Sequence, residues 1–205
     1  MGAIKSALVA GAEQEWDYFG RSTRSIDENW HIVGDRQVEP WLSHIAQYWA
    51  AVGEPTWNGA TDEPWSGAFI SWCFKHAGAE GKFTPDETHS VYIDRIRRHA
   101  GMSEALVLKP VAETAPEVGD LIWNARGPGA PPDYAAAIER LKAGDFFPGH
   151  VDIVVAVAND RCSSIGGNVS NITIGGSVTR STWRLVNGLL VDERKIWLGV
   201  VKNGL

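Results

Sequence analysis

Residues 62–78 read Asp62-Glu63-Pro64-Trp65-Ser66-Gly67-Ala68-Phe69-Ile70-Ser71-Trp72-Cys73-Phe74-Lys75-His76-Ala77-Gly78. This stretch predicts a buried helix with a clear start and stop. Asp62 and Glu63 supply acidic or capping groups, Pro64 suits a first helical turn, and Gly78 suits the position just past the end. Trp65, Ala68, Phe69, Trp72 and Cys73 recur at three- and four-residue steps, so that face packs inward. Ser66 falls in the first turn, where backbone N–H groups lack intrahelical partners and the dipole is positive. A nucleophile there meets ready-made anion stabilisation. A small Ser in a first turn also serves as a cap or a close-packing residue, and both readings stand at this point.

The N-terminal side reads as helical. Ile4 to Phe19 places Ile4, Ala7, Leu8, Gly11, Ala12, Trp16 and Phe19 near one stripe, with Glu15 the odd polar member. Arg21 to Gln37 is polar and irregular. Glu39 to Val52 predicts a second helix with Pro40 at its start and Trp41, Ile45, Tyr48 and Trp49 inward. Beyond the central stretch, His89 to His99 predicts a helix closed by Gly101, with His89, Tyr92, Ile93 and Ile96 on one side.

The period then changes. Pro116 to Trp123 is a turn into a strand, Arg126 to Pro132 a loop, and Tyr134 to Lys142 a short helical insert. Gly149-His150-Val151-Asp152-Ile153-Val154-Val155-Ala156-Val157 is the strongest strand pattern in the chain. Ser164 to Ser170 is a strand meeting a Gly-rich bend, and Ser177 to Leu185 and Lys195 to Val201 are further strands. Helices followed by consecutive strands predict an α+β fold, its N-terminal helices packed on an antiparallel sheet. No internal repeat or linker interrupts residues 1–205, so one domain is expected.

Composition narrows the function classes. The 205 residues carry a net charge of −6 with no basic run or basic–aromatic stripe, which argues against nucleic acid and against an anionic membrane surface. No apolar run reaches spanning length, so no membrane insertion is expected. The run Ala7 to Ala12 after Lys5 is too short for a signal peptide, so the expectation is synthesis in the cytoplasm without a Sec address. Two cysteines, Cys73 and Cys162, make neither a disulfide framework nor a zinc pattern, and no metal or cofactor is expected. Cys73 reads as a small buried hydrophobe. The ten tryptophans read mostly as core or interface mass.

Three polar residues stand at informative places: Ser66 at a helix start, His150 at the start of a buried strand, and Asn168 after two glycines on the next strand. If those strands are antiparallel neighbours, His150 and Asn168 lie side by side at one sheet end. A helix across that end would bring Ser66 to His150. Ser66 would attack a carbonyl, His150 would take its proton, and Asn168 would hold the imidazole. Singly, each has a plainer reading: a structural strand His, or a Gly-Gly-Asn turn. Asp152, two residues past His150, shares its strand face and either pairs with a pocket group or is solvated. Asp120 reads as a turn residue.

The order helix–nucleophile, Gly119-Asp120-Leu121-Ile122, Gly149-His150-Val151-Asp152-Ile153-Val154, then Gly166-Gly167-Asn168 resembles the NlpC and CHAP cell-wall hydrolases of the papain-like superfamily. Those enzymes carry Cys-x-x-Phe-Val-x-Trp on the helix, and Ser66 stands at the cysteine position. More closely, the chain resembles the bacterial family called domain of unknown function 2272, through Trp65-Ser66-Gly67-Ala68-Phe69-Ile70-Ser71, His89-Ser90-Val91-Tyr92-Ile93 and Gly149-His150-Val151-Asp152-Ile153-Val154. An opening helix ending in Glu15 to Gly20 also fits. The resemblance runs from about Ala7 to Val201.

It implies a papain-like fold and a peptidoglycan amidase or endopeptidase activity, with peptidoglycan or a muropeptide as partner. Ser66, His150 and Asn168 would be catalytic, and Trp65, His89, Tyr92 and Asp152 would line the substrate cleft. Peptidoglycan lies outside the cytoplasm, so export as an antibacterial effector to the periplasm is implied, and with it a cognate immunity protein. Serine lacks the preformed anion of a cysteine thiolate. Three readings of Ser66 therefore stay open: a working serine hydrolase, a descendant that only binds a ligand on the same fold, or an engineered Cys→Ser trap. A hydrolase of lipid or other acyl groups is a further alternative.

Overall fold

The computed structural model describes residues 2–99, 105–169 and 176–205. The expected helix stop at Gly101 and strand end at Ser170 lie outside them. The chain begins with helix α1 (Ala3–Tyr18), then two short strands, β1 (Ser22–Arg24) and β2 (Trp30–His31), and helices α2 (Trp41–His44), α3 (Ala46–Ala51), α4 (Ser66–His76) and α5 (His89–Arg98). Strands β3 (Leu106–Pro110) and β4 (Leu121–Ala125) follow, then α6 (Tyr134–Lys142), β5 (Gly149–Ala158), β6 (Arg161–Val169), β7 (Ser177–Val186), β8 (Leu189–Leu190) and β9 (Ile196–Asn203).

Among the described residues the nine strands form one sheet in the order β2-β1-β7-β6-β5-β4-β9-β3, with β8 on β7. Every pairing is antiparallel except β1 with β7. The fold is therefore α+β with a mostly antiparallel sheet, helices first. No helix of the described residues is long and apolar enough to cross a membrane.

Helix α4 is the centre of the core. Ala68, Phe69, Ile70, Cys73 and Phe74 are all fully buried, and Ser66, Gly67 and Ser71 are buried with them. It packs on α1, α3, β5 and β6, so a helix with only one apolar stripe would leave polar groups stranded. Each of its large side chains contributes on the order of 1.5–3 kcal/mol by burial. The helix starts later than expected. Asp62, Glu63 and Pro64 precede it, Trp65 is its N-cap residue without a side-chain cap bond, and Ser66 is its first residue.

Two other expectations are corrected. The helix expected over Glu39–Val52 divides at Ile45 into α2 and α3. The stretch Arg21–Gln37, read as irregular, holds β1 and β2. Glu15, the polar member of the α1 stripe, is buried because His44 Nε2 lies 2.7 Å from its carboxylate and the Tyr48 hydroxyl donates to it.

Candidate active site

Ser66 is 1% exposed, and its Oγ sits 2.7 Å from His89 Nε2. Three features of sequence bring these residues together. Gly67 has no side chain, and a Cβ there would lie 2.0 Å from the Glu87 carbonyl oxygen. Only glycine lets the segment before α5 press onto the first turn of α4. One turn on, Ser71 Oγ donates to the Asp86 carbonyl at 2.9 Å and accepts from the Asp86 N–H at 3.0 Å. Asp86 in turn accepts from the Thr88 N–H and pairs with Arg95. The chain is thus clamped to α4 immediately before His89 starts α5.

His89 is buried, and its Nδ1 meets the Tyr92 hydroxyl. Burial, then the neighbouring His150 and Arg126, hold the imidazole well below its ordinary pKa, so it is neutral. Burial, then Asp152 and Asp86, push the Tyr92 phenol well above its usual range, so it keeps its proton. Tyr92 is 1% exposed, and among the described residues its hydroxyl has no second partner. If Nδ1–H donated to Tyr92, the phenol proton would be a buried orphan costing about 1–3 kcal/mol. The satisfied arrangement has Tyr92 donating to Nδ1 and His89 Nε2–H donating to Ser66 Oγ. The proton of Ser66 is then free to point into the cleft.

The second imidazole stands beside the first. The rings of His89 and His150 meet edge to face with centroids 5.4 Å apart. His150 is on β5, and its Nε2 lies 2.9 Å from Asp152 Oδ1 on the same strand face, at ion-pair distance but without aligned hydrogen-bond geometry. Asp152 Oδ2 accepts from Ser164 Oγ at 2.7 Å, and Ser164 accepts from Trp183 Nε1 at 2.7 Å. Burial alone would raise the Asp152 carboxyl. The neighbouring His150 and the hydrogen bond from Ser164 outweigh it and hold the carboxyl below its ordinary value.

Glycines again make the room: a Cβ on Gly166 would lie 1.9 Å from Asp152 Oδ1 and 2.8 Å from His150 Nε2, and one on Gly167 would strike Phe69 and Trp65 at 2.6–2.7 Å. Gly166 and Gly167 lie in β6, as the strand meeting a Gly-rich bend that was expected: the register against β7 shifts between Gly166 and Val169, and the glycine backbone passes close to the His150–Asp152 pair and the start of α4.

The expected site residues are distributed as follows. Ser66 and His89 bond directly, Tyr92 backs His89, and His150 adjoins His89 while pairing with Asp152. Asn168, expected to hold the His150 ring, has φ +55° and carries its Oδ1 toward Gly176. It lines the same cavity as His150 and Asp152, but the group at ion-pair distance from the imidazole is Asp152. Trp65, expected among the substrate contacts, is fully buried and stacks on Tyr48 at 5.5 Å, so it packs the core beneath the cleft. Asp120, read as a turn residue, is also a buried anion bonded to Lys5 and Lys202.

A cleft of about 420 Å³ opens over Ser66, walled by Trp49, Trp57, Glu87, His89, Arg126 and Phe147. Both cysteines are buried away from it. Burial and then Glu15 push the Cys73 thiol well above its ordinary range, and Cys162 is pushed up to about 12, so neither supplies a thiolate. Among the described residues no group of three or more His, Cys, Asp or Glu could hold a metal ion.

The model of a bacterial family described as "uncharacterized protein conserved in bacteria" matches residues 16–203. The chain belongs to the DUF2272 family. The matched span of this DUF2272 chain includes Ser66, His89, His150 and Asp152. No curated protein and no solved structure matches it.

Proposed function

We propose that this DUF2272 protein is a hydrolase of amide or ester carbonyls in which Ser66 is the nucleophile. The observation that carries the reading is the hydrogen bond between Ser66 Oγ and a buried neutral imidazole, at the first residue of a helix that meets a cleft there. His89 is a poor proton acceptor, because an imidazolium there would be buried beside the neutral Tyr92 with no counter-charge. His150 has the Asp152 carboxylate to balance the proton it takes. In this reading His89 orients Ser66, and the His150–Asp152 pair is the base. Ser66 Oγ attacks the carbonyl carbon as its proton passes to His150. The oxyanion is stabilised by first-turn N–H groups of α4. His150 then protonates the leaving amine or alcohol, and water releases the acyl group by the reverse transfer.

The substrate class rests on the resemblance to NlpC and CHAP enzymes through the helix, Gly-His and Gly-Gly-Asn motifs. Peptidoglycan peptides are therefore the proposed substrate, with a papain-like arrangement and export to the periplasm as the corresponding proposals. The test is fragment release from purified sacculi, beside ester and lipid substrates, by wild type, Ser66→Ala, Ser66→Cys, His150→Ala and His89→Ala. Loss of release in Ser66→Ala and in His150→Ala, with the fold intact, is expected, and a lesser, roughly 10²-fold fall in His89→Ala. Release only from esters or lipids would move the substrate class. Release in Ser66→Cys alone would mark a cysteine-hydrolase scaffold with a silent native site. Equal release in wild type and Ser66→Ala would place the nucleophile elsewhere.

A further inference from the structure

A second cavity, of about 230 Å³, is lined by His150 where the Ser66 cleft is lined by His89, and Arg126 lines both. Its walls carry Arg24, Arg126, Lys195, His150 and Asp152. Most side chains of this kind are matched elsewhere in the protein: Arg97, Arg140, Arg194 and Lys202 each meet a carboxylate. Among the described residues, no hydrogen bond or ion pair engages the Lys195 ammonium or the Arg126 guanidinium. Arg24 is only 8% exposed, and although one of its nitrogens binds Glu28, its buried Nε–H has no acceptor. Trp30 and Trp183 lie against its guanidinium at 4.8 and 5.3 Å, which fixes its plane. Among the described residues Asp152 is the one anion on the walls, and it is already engaged by His150 and Ser164.

We propose that this cavity is a subsite for a carboxylate borne by the substrate, held by Lys195 and Arg126, with the charge of Arg24 beside them. Three cations, from β1, the segment after β4 and the segment before β9, line one cavity; Arg24 is paired with Glu28 and Arg126 is exposed, but the half-buried Lys195 ammonium has no carboxylate partner of its own among the described residues. Burial first, and then Arg24, lowers the Lys195 ammonium from its ordinary value, and an incoming anion relieves that repulsion. A carboxylate fits better than a phosphate because Asp152 faces the same space and repels a dianion more strongly. The meaning of the subsite, selection of an acidic group beside the scissile bond, rests on the proposed Ser66 chemistry. Binding itself does not.

The test therefore needs no turnover. The protein is titrated with glutarate, glutaramide and inorganic phosphate, following the indole N–H resonances of Trp30 and Trp183. Saturable glutarate binding is expected, equal in wild type and Ser66→Ala, and at least about tenfold weaker in both Lys195→Met and Arg126→Met. The exposed Arg126 provides a substitution that leaves the core untouched. Glutaramide binding as well as glutarate, phosphate binding better, absence of saturable binding, or undiminished binding in both variants would each overturn the proposal. Inactivity of wild type on every substrate with glutarate binding intact would instead count against the Ser66 reading alone.

Discussion

At the scale of single residues, the site depends on which of two imidazoles can carry a charge. His89 and His150 differ in their neighbours, a phenol for one and a carboxylate for the other. The same contrast has a consequence for stability. His89 has a folded pKa depressed below the ordinary ~6.5, so below that pH the unfolded chain binds a proton that the folded protein does not. Its contribution is fully present above pH ~6.5 and is lost as pH falls toward the folded value. Between pH 7 and pH 5 wild type should lose up to about 2 kcal/mol more than His89→Gln, which stays uncharged throughout. Urea melts of both proteins at the two pH values check this, and parallel losses would show that His89 is not held neutral. Sequence placed His89 and Tyr92 on one helix face and near the cleft by resemblance. The bond to Ser66 crosses 23 residues of chain and has no local signature. One signal was available: a glycine in the first turn of a buried helix weakens it unless another backbone must come close. Gly67 is that residue.

At the scale of elements, the strongly patterned segments were legible. Helix α6 runs over Tyr134–Lys142 as its pattern predicts, because Asp133 caps it by accepting from the Ala136 N–H at 2.8 Å. The apolar run of β5 likewise gives a strand from Gly149. Strand β1 was not legible, since Ser22-Thr23-Arg24 has no strand pattern. It exists because β7 pairs with it and Ser22 Oγ bonds Ser177 Oγ at 3.0 Å. The docking of α5 on α4 supplies an element-level prediction in which two effects compete. Gly67→Ala gains about 1 kcal/mol of helix propensity. It also sets a Cβ 2.0 Å from a backbone carbonyl that Ser71 and Asp86 hold in place, a strain of about 1–3 kcal/mol or more. The clash should win, lowering the urea midpoint and separating His89 from Ser66. A midpoint equal to or above wild type would mean that the α4–α5 approach is looser than described.

At the scale of the whole molecule, the cleft lies between a helical half and a sheet that are tied together at their far ends. Asp120 is fully buried, and its carboxylate accepts from Lys5 of α1 at 3.0 Å, from Lys202 of β9 at 2.5 Å and from the Asn203 N–H at 3.0 Å. This joins the first helix to the last strand and sets α1 across the sheet under α4. Such ties, and the meeting of Arg24, Arg126 and Lys195 in one cavity, involve residues far apart in sequence, and no spacing rule predicts them. The fold class was legible because helices precede strands. The convergence of charges was not, because it is made by tertiary packing. In the proposed reaction this packing activates Ser66. The most direct measurement is covalent trapping of the intact protein with a fluorophosphonate, followed by peptide mass spectrometry. An adduct on Ser66, absent in Ser66→Ala and markedly slowed in His150→Ala, is the predicted result; no adduct on folded wild type, or one that persists in Ser66→Ala, would contradict it.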